Sequence, residues 1–293
     1  MPTPEFVGRC IFCGWRGKLT GEHIWPAWSH RYVPPTTKQY FILHATAFQE
    51  RSDFIPRKRP GDIRDWRVYC VCHGCNQGWM SRLEMRAKPV LLSLMRGDEV
   101  RLMPEQQLLV AAWAAMKAIV AEHDPTGSIT THPSQRRRLM KKLLPPENGW
   151  AIYIGHFNGR AWKARWVSHP LLVLPEAEGR AGQPAEYHNG QTSTQVIGQL
   201  YIHVMRSRMP KLFDRWKFTL PDRCILYRIW PPAPASIVWP NGSLTDRAAD
   251  YAAGAFMRAA ITASQGTLPP VTGELSETFP PPQWRQRGAM WPR

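Results

Sequence analysis

The chain has 293 residues, 43% of them hydrophobic and 14 of them Trp, enough to bury a core in two ordinary domains or one large one. Its 38 Lys and Arg against 22 Asp and Glu give a formal charge of +16, a field that attracts polyanions, nucleic acid above all. No window approaches the ~18 apolar residues of a membrane span and Met1 to Arg9 has no signal-peptide core, so a cytoplasmic protein without a membrane partner is expected.

In chain order, Cys10-Ile-Phe-Cys13-Gly14 comes first. Leu19 to Pro26 follows, containing Glu22-His23 and reading as a strand that Pro26 helps to end. A long excursion, about Arg31 to Asp65, carries Pro56-Arg57-Lys58-Arg59-Pro60, read as a basic turn that either lies on phosphate or is simply solvated. Cys70 is expected as a small buried residue of the returning strand. Cys72-His-Gly-Cys75 closes the second pair, and Asn76 to Lys88 reads as a helix stopping at Pro89. Trp79 and Leu83 form an i, i+4 core pair on it; Arg82 and Arg86 form another that is solvated or touches phosphate.

Beyond residue 100, a helix follows Pro104, with Leu108, Leu109, Ala112, Trp113 and Met116 at helical spacing. A basic segment, Arg136-Arg137-Arg138 with Lys141 and Lys142, is also expected to be helical, and is either a nucleic-acid contact or a solvated face. Strands are expected at Trp150 to Phe157 and Ala161 to Val167, joined as a hairpin at Asn158-Gly159, and again at Ile197 to Met205 and Arg223 to Trp230. A last helix spans about Thr245 to Ala263, capped at Ser243 and Asp246. From Gly266 a Pro-rich tail runs past Trp284 and Trp291. The division is therefore 1–100, 101–265 and 266–293, and the fold class is α+β.

Clustered cysteine pairs in such a chain suggest a metal site rather than disulfides. Two residues between cysteines let both thiolates of a turn face one cation, and two such knuckles complete the tetrahedral shell that suits zinc. The spacing assigns a structural zinc to Cys10, Cys13, Cys72 and Cys75, although the excursion between the pairs far exceeds the roughly 15–20 residues of a common ribbon. Between the knuckles, His23 has the right pKa range for a general base, while Glu22 and Asn76 supply the oxygen ligands that a hard divalent cation prefers.

Taken together, Cys-x-x-Cys-Gly, Glu-His-x-x-Pro and Cys-x-x-Cys-Asn resemble the zinc-containing branch of the HNH endonucleases, in the ββα-metal or His-Me finger superfamily. The stretch Gly78 to Glu84 looks like a bacterial and phage subset of it. The resemblance covers residues 10 to about 88. It implies a metal-dependent endonuclease acting on DNA, with His23 as base, Glu22 and Asn76 holding catalytic magnesium or manganese, and the four cysteines holding zinc. It also implies an N-terminal ββα-metal module followed by an α+β domain with a β-hairpin and two or more helices. One departure stands out: the family's middle Asn falls near Arg67, whose side chain has no acceptor. RNA as substrate and a non-catalytic module that binds nucleic acid or protein remain open alternatives, as do a protein partner, self-association and roles in phage defence, packaging or mobile elements.

Overall fold

The computed structural model describes residues 6–35, 39–48, 51–125, 127–162, 165–171, 189–214, 216–221, 223–232 and 235–264, with side chains described outside 39–60, 171 and 260–264. The Pro-rich tail lies outside the described residues. The chain is a mixed α+β protein.

It opens with a small antiparallel sheet of β1 (Val7–Arg9), β2 (Arg16–His23) and β5 (Arg67–Cys72), in the order β1-β2-β5. Leu19 faces Cys72, Thr20 faces Val71, and a bulge at Cys70 puts Gly21 opposite Tyr69 and His23 opposite Arg67. β5 passes through a single turn, α1 (His73–Cys75), and a π-helical turn, Asn76–Met80, kinked at Gly78, into α2 (Ser81–Arg96). Two antiparallel strands thus feed one helix.

The stop expected at Pro89 does not occur. Proline removes one helical N–H, but the turns beyond it bury Val90, Leu91, Leu94 and Met95, and that apolar area outweighs the local loss. The helix ends instead at Gly97, whose left-handed conformation (φ 74°) lets its N–H reach Leu94 O at 3.2 Å.

The central element is α3 (Pro104–Ala121), buried on nearly every side, with Pro104 in the first turn as expected. It packs on α2 and under a seven-stranded sheet ordered β11-β7-β10-β9-β8-β3-β4. The strands are β3 (Gln39–Phe48), β4 (Arg51–Pro60), β7 (Trp150–His156), β8 (Trp166–Leu171), β9 (Gly190–Ile197), β10 (Leu200–Ser207) and β11 (Tyr227–Trp230). All pairings are antiparallel except β3 with β8. Ile152, Ile154, Ile202 and Val204 join the α3 side of the core, whereas Val196 and Tyr201 pack with Ala248 and Ala252 of α5 (Asp246–Ser264). The two sheet faces are thereby covered by one helix each. A short pair, β6 (Val100–Leu102) and β12 (Ile237–Trp239), and the basic helix α4 (Pro133–Lys142) complete the fold. Among the described residues no helix is long and apolar enough to cross a membrane.

Several expectations are corrected here. The segment Arg57, Lys58, Arg59 is not a turn; its backbone is strand β4, paired Arg57 to Ile42, Lys58 to Phe41 and Arg59 to Tyr40. β7 and β8 are not a hairpin, because β10 and β11 take both edges of β7. Asn158-Gly159 instead opens a loop held by the Asp246 carboxylate, which accepts from the N–H groups of Arg160 and Ala161 at 3.0 and 2.8 Å. Asp246 is therefore spent on that loop, and α5 is capped by Thr245, whose Oγ1 accepts from Ala248 N at 3.3 Å. The two-residue hairpin is β9–β10, turning at Gly198 (φ 60°) and Gln199. β11 starts at Tyr227 rather than Arg223. One apolar cluster includes Trp25 and Leu83 before residue 100 and Trp113 and Ile152 after it, and the large sheet likewise draws strands from both sides.

Candidate active site and metal centre

The turn Cys10–Gly14 is tied by Cys10 N to Trp15 O and Gly14 N to Cys10 O, at 2.8 and 2.9 Å, with Gly14 at φ 80°. Trp15 N points at Cys13 Sγ at 3.5 Å, and Cys75 N at Cys72 Sγ at 3.4 Å, the N–H-to-sulfur contacts of two knuckles. The ligand atoms of Cys10, Cys13, Cys72 and Cys75 lie within 4.8 Å of one another, and Cys13 Sγ is 3.6 Å from Cys72 Sγ. A tetrahedral zinc with ~2.3 Å bonds spaces its sulfurs at about 3.8 Å, so the cluster can hold a structural zinc. Burial raises the Cys10 thiol, but backbone hydrogen bonds at Cys13, Cys72 and Phe12 outweigh it and bring the group down to about 7, toward the thiolate a metal needs. Cys70 is buried in β5 outside this cluster, as expected, and burial pushes its thiol well up.

Across the small sheet from the cysteines is a cleft of about 230 Å³ lined by Glu22, His23, Trp28, Asn76, Glu84 and Lys117, among others. β2 delivers Glu22 and His23 at its last two positions; Pro26 and the 3-10 turn Ala27–Tyr32 carry the chain away. Glu22 is buried toward α3, while His23 is half-exposed. Asn76 is fixed from two directions. It follows the cysteine knuckle directly, and its Nδ2 donates to Thr20 Oγ1 at 2.9 Å, leaving Oδ1 as the amide's ligand atom.

Beneath them lies the ammonium of Lys117, with its side chain 1% exposed. It donates to Glu22 Oε1 at 2.5 Å and to the His23 carbonyl at 2.8 Å, and pairs with Glu84 Oε2 at 3.0 Å. Trp28 Nε1 donates to the other Glu84 oxygen at 3.0 Å. Burial works against the charge on Lys117, yet Glu22 and Glu84 hold it above the ordinary lysine range. Burial would raise Glu84; the Lys117 charge and the hydrogen bonds from Lys117 and Trp28 instead hold it below the usual carboxylate range.

His23 is pushed below the ordinary histidine range by burial first, then by the charges of Arg67, Lys117 and His30, with Asp65 opposing. An imidazole kept neutral at neutral pH and facing a cleft can accept a proton. The loop after His23 is held without an Asn in the place of Arg67. Ser29 Oγ donates to Pro26 O at 2.8 Å, His30 Nε2 lies 3.0 Å from Trp25 O, and Ile24 N donates to Trp66 O at 3.0 Å. Arg67 instead stands exposed opposite His23.

The weaker nucleic-acid candidates are scattered. Arg82 and Arg86 are exposed on α2, and Arg137 is exposed on α4. Arg136 is half-buried, with Nη1 2.9 Å from His123 Nε2, and Arg138 is paired with Glu147. The side chains of Arg57, Lys58 and Arg59 lie outside the described residues. Sequence reasoning named Glu22, His23 and Asn76 but missed Lys117 and its pairing with Glu84. The signal for Lys117 was its isolation: one charge in the apolar run from Ala111 to Ala121 of α3. Comparison with protein-family models, curated proteins and solved structures finds no match to this chain.

Proposed function

We propose that the cleft hydrolyses phosphodiester bonds of nucleic acid, DNA first, in the manner of the zinc-containing HNH endonucleases that the motifs resemble. The observation that carries this reading is the convergence of Glu22, His23 and Asn76 on one cleft, beside four cysteines able to hold zinc. On this reading the small sheet and the helix after it form the ββα module. A zinc held by the four cysteines would tie the start of the helix to the first knuckle, and Cys75 would then fix Asn76.

His23 takes the proton from the attacking water. Glu22 Oε2 and Asn76 Oδ1 offer hard oxygen donors of the kind that would hold magnesium or manganese, and Glu84, which lines the same cleft, would orient water around such a cation. Such a cation, when bound, stabilises charge on the phosphate and on the departing 3′ oxygen. Lys117 fixes the Glu22 carboxylate through Oε1 and the strand end through the His23 carbonyl. The products are 5′-phosphate and 3′-hydroxyl ends.

The test is nicking of supercoiled plasmid in magnesium or manganese, with EDTA and Asn76→Ala as controls. Nicking that requires the metal and Asn76 supports the reading, and cleavage of RNA in preference to DNA redirects the substrate. A second reading draws on Lys117 itself: a buried ammonium on Glu22 partly fills the role of a cation, as in a module that binds nucleic acid without cutting it. Absence of turnover in either metal, by folded zinc-loaded protein that still binds nucleic acid, would favour that reading.

A further inference from the structure

The small sheet has a second face, and of the cleft residues on β2 only His23, at its end, belongs to it. Alternation along β2 sends Thr20 and Glu22 toward α2 and α3, and sends Gly17, Leu19, Gly21 and His23 to the opposite side. On that side the glycines are roofed by aromatic rings. A Cβ on Gly17 would meet the Trp15 ring at 2.1 Å, and one on Gly21 would meet the Tyr69 ring at 3.0 Å. Phe6 stacks on Tyr69 with ring centroids 4.0 Å apart and planes 20° from parallel.

Trp15 is 51% exposed and Phe6 41%, so each offers an open ring face to solvent. Leu19, half-buried, lies between them. The row continues to Arg67, exposed opposite His23. From Gly17 to His23 the track is about 20 Å long at ~3.3 Å per residue. His23 ends it and also lines the cleft.

On this face the described charges are Arg67 and, next to His23, Asp65, while Arg9, Arg16 and Lys18 are exposed on the other face of the same strands and the chain as a whole carries a formal charge of +16. Flat, exposed aromatic faces in a row that ends at the Arg67 guanidinium, on a chain of net charge +16, suit stacked bases beside a phosphate backbone, whatever the base sequence. A duplex keeps its base faces stacked inside and cannot use such a platform.

We propose that the face bearing Trp15, Leu19, Phe6 on Tyr69, and Arg67 is a stacking platform for the unpaired bases of a single-stranded nucleic acid, leading that strand to the cleft at His23. The proposal rests on the nuclease reading for its direction, but the binding it asserts can be measured without catalysis.

The experiment uses full-length, zinc-loaded protein carrying His23→Ala, in EDTA, with a fluorescent oligothymidylate of ~16 nucleotides, an oligouridylate of equal length and a duplex of equal length. Zinc content and the melting curve are checked for each variant. The expected result is tighter binding to single strands than to duplex, with quenching of tryptophan fluorescence. Trp15→Ala and Phe6→Ala each lower single-strand affinity by about tenfold and leave duplex affinity unchanged, while Trp15→Phe restores most of it.

Equal affinity of the Trp15→Ala and parent proteins for single strands overturns the proposal, as does equal loss on duplex or no single-strand binding. Metal-dependent plasmid nicking without single-strand binding leaves the nuclease reading standing and removes the platform. Trp15-dependent binding by a protein that never cleaves does the reverse.

Discussion

Replacing Lys117 by Met perturbs the site at its most buried charge. The ammonium is 1% exposed and serves three acceptors, Glu22 Oε1, Glu84 Oε2 and the His23 carbonyl. The carboxylates it leaves behind are themselves only 10% and 23% exposed. Removing one partner of a buried ion pair typically costs about 3–5 kcal/mol, because the abandoned charge stays out of water. The cost depends on pH. In the wild type, the depressed Glu84 pKa contributes stability that is present above the unfolded value near 4.3 and lost as pH falls. In Lys117→Met buried Glu84 loses its cation, and the burial that Lys117 had offset then raises its pKa above the unfolded value. The folded variant then binds the extra proton, and its stability falls as pH rises. The gap between the two proteins should widen from pH 4 to pH 7. Urea unfolding followed by tryptophan fluorescence measures it, and Lys117→Met/Glu84→Gln should recover at least ~1 kcal/mol of the loss. A gap under ~1 kcal/mol at pH 7, or one that does not change with pH, would refute the reasoning.

Other outcomes follow from the same coordinates. Burial, and secondarily the charge of His169, brings fully buried His203 down to about 3. The unfolded chain therefore binds a proton below pH 6.5 that the folded one refuses, and stability falls with pH by about 2 kcal/mol at pH 5; acid unfolding of His203→Leu should show a shallower slope. Stripping zinc, or Cys72→Ser, releases the loop closed between Cys13 and Cys72, for which chain entropy alone gives about 4 kcal/mol. Metal analysis paired with thermal melting checks this, and an unchanged Tm in zinc-free protein would contradict it. Gly97→Ala should destabilise the protein, because a Cβ there would sit 1.9 Å from Gln199 Oε1 on a backbone at φ 74°; denaturant midpoints report the loss.

The candidate site was legible because its chemistry is local. Cysteine spacing announced the four-cysteine cluster, and Glu22-His23 with Asn76 after Cys75 announced groups that line one cleft. Lys117 was not legible as a partner, since only the fold brings the middle of α3 beneath the end of β2. The large sheet was half legible. β7 and β10 are apolar enough to read, but β9 was missed because its central residues are Gln191, Thr192, Ser193, Thr194 and Gln195, all buried. Their polar groups are satisfied by the neighbouring hairpin strand β10, which a polar composition does not announce: Arg206 donates to Ser193 Oγ at 3.0 Å and also to Gln191, and Thr194 Oγ1 lies 2.7 Å from His203 Nδ1. Asn158-Gly159 misled for a related reason: its turn chemistry was sound, but the Asp246 carboxylate claimed the loop and other strands claimed the edges of β7. The excursion between the cysteine pairs hid β3 and β4, whose sheet partner β8 lies far downstream.

In the mechanism proposed, His23 activates water for phosphodiester cleavage. Single-turnover cleavage of DNA by wild-type protein and by His23→Ala, both zinc-loaded, in magnesium and in manganese, tests this most directly. The expected result is metal-dependent cleavage that slows by about 10²-fold or more in the variant, the usual contribution of a general base. Cleavage at the same rate by both proteins would contradict it.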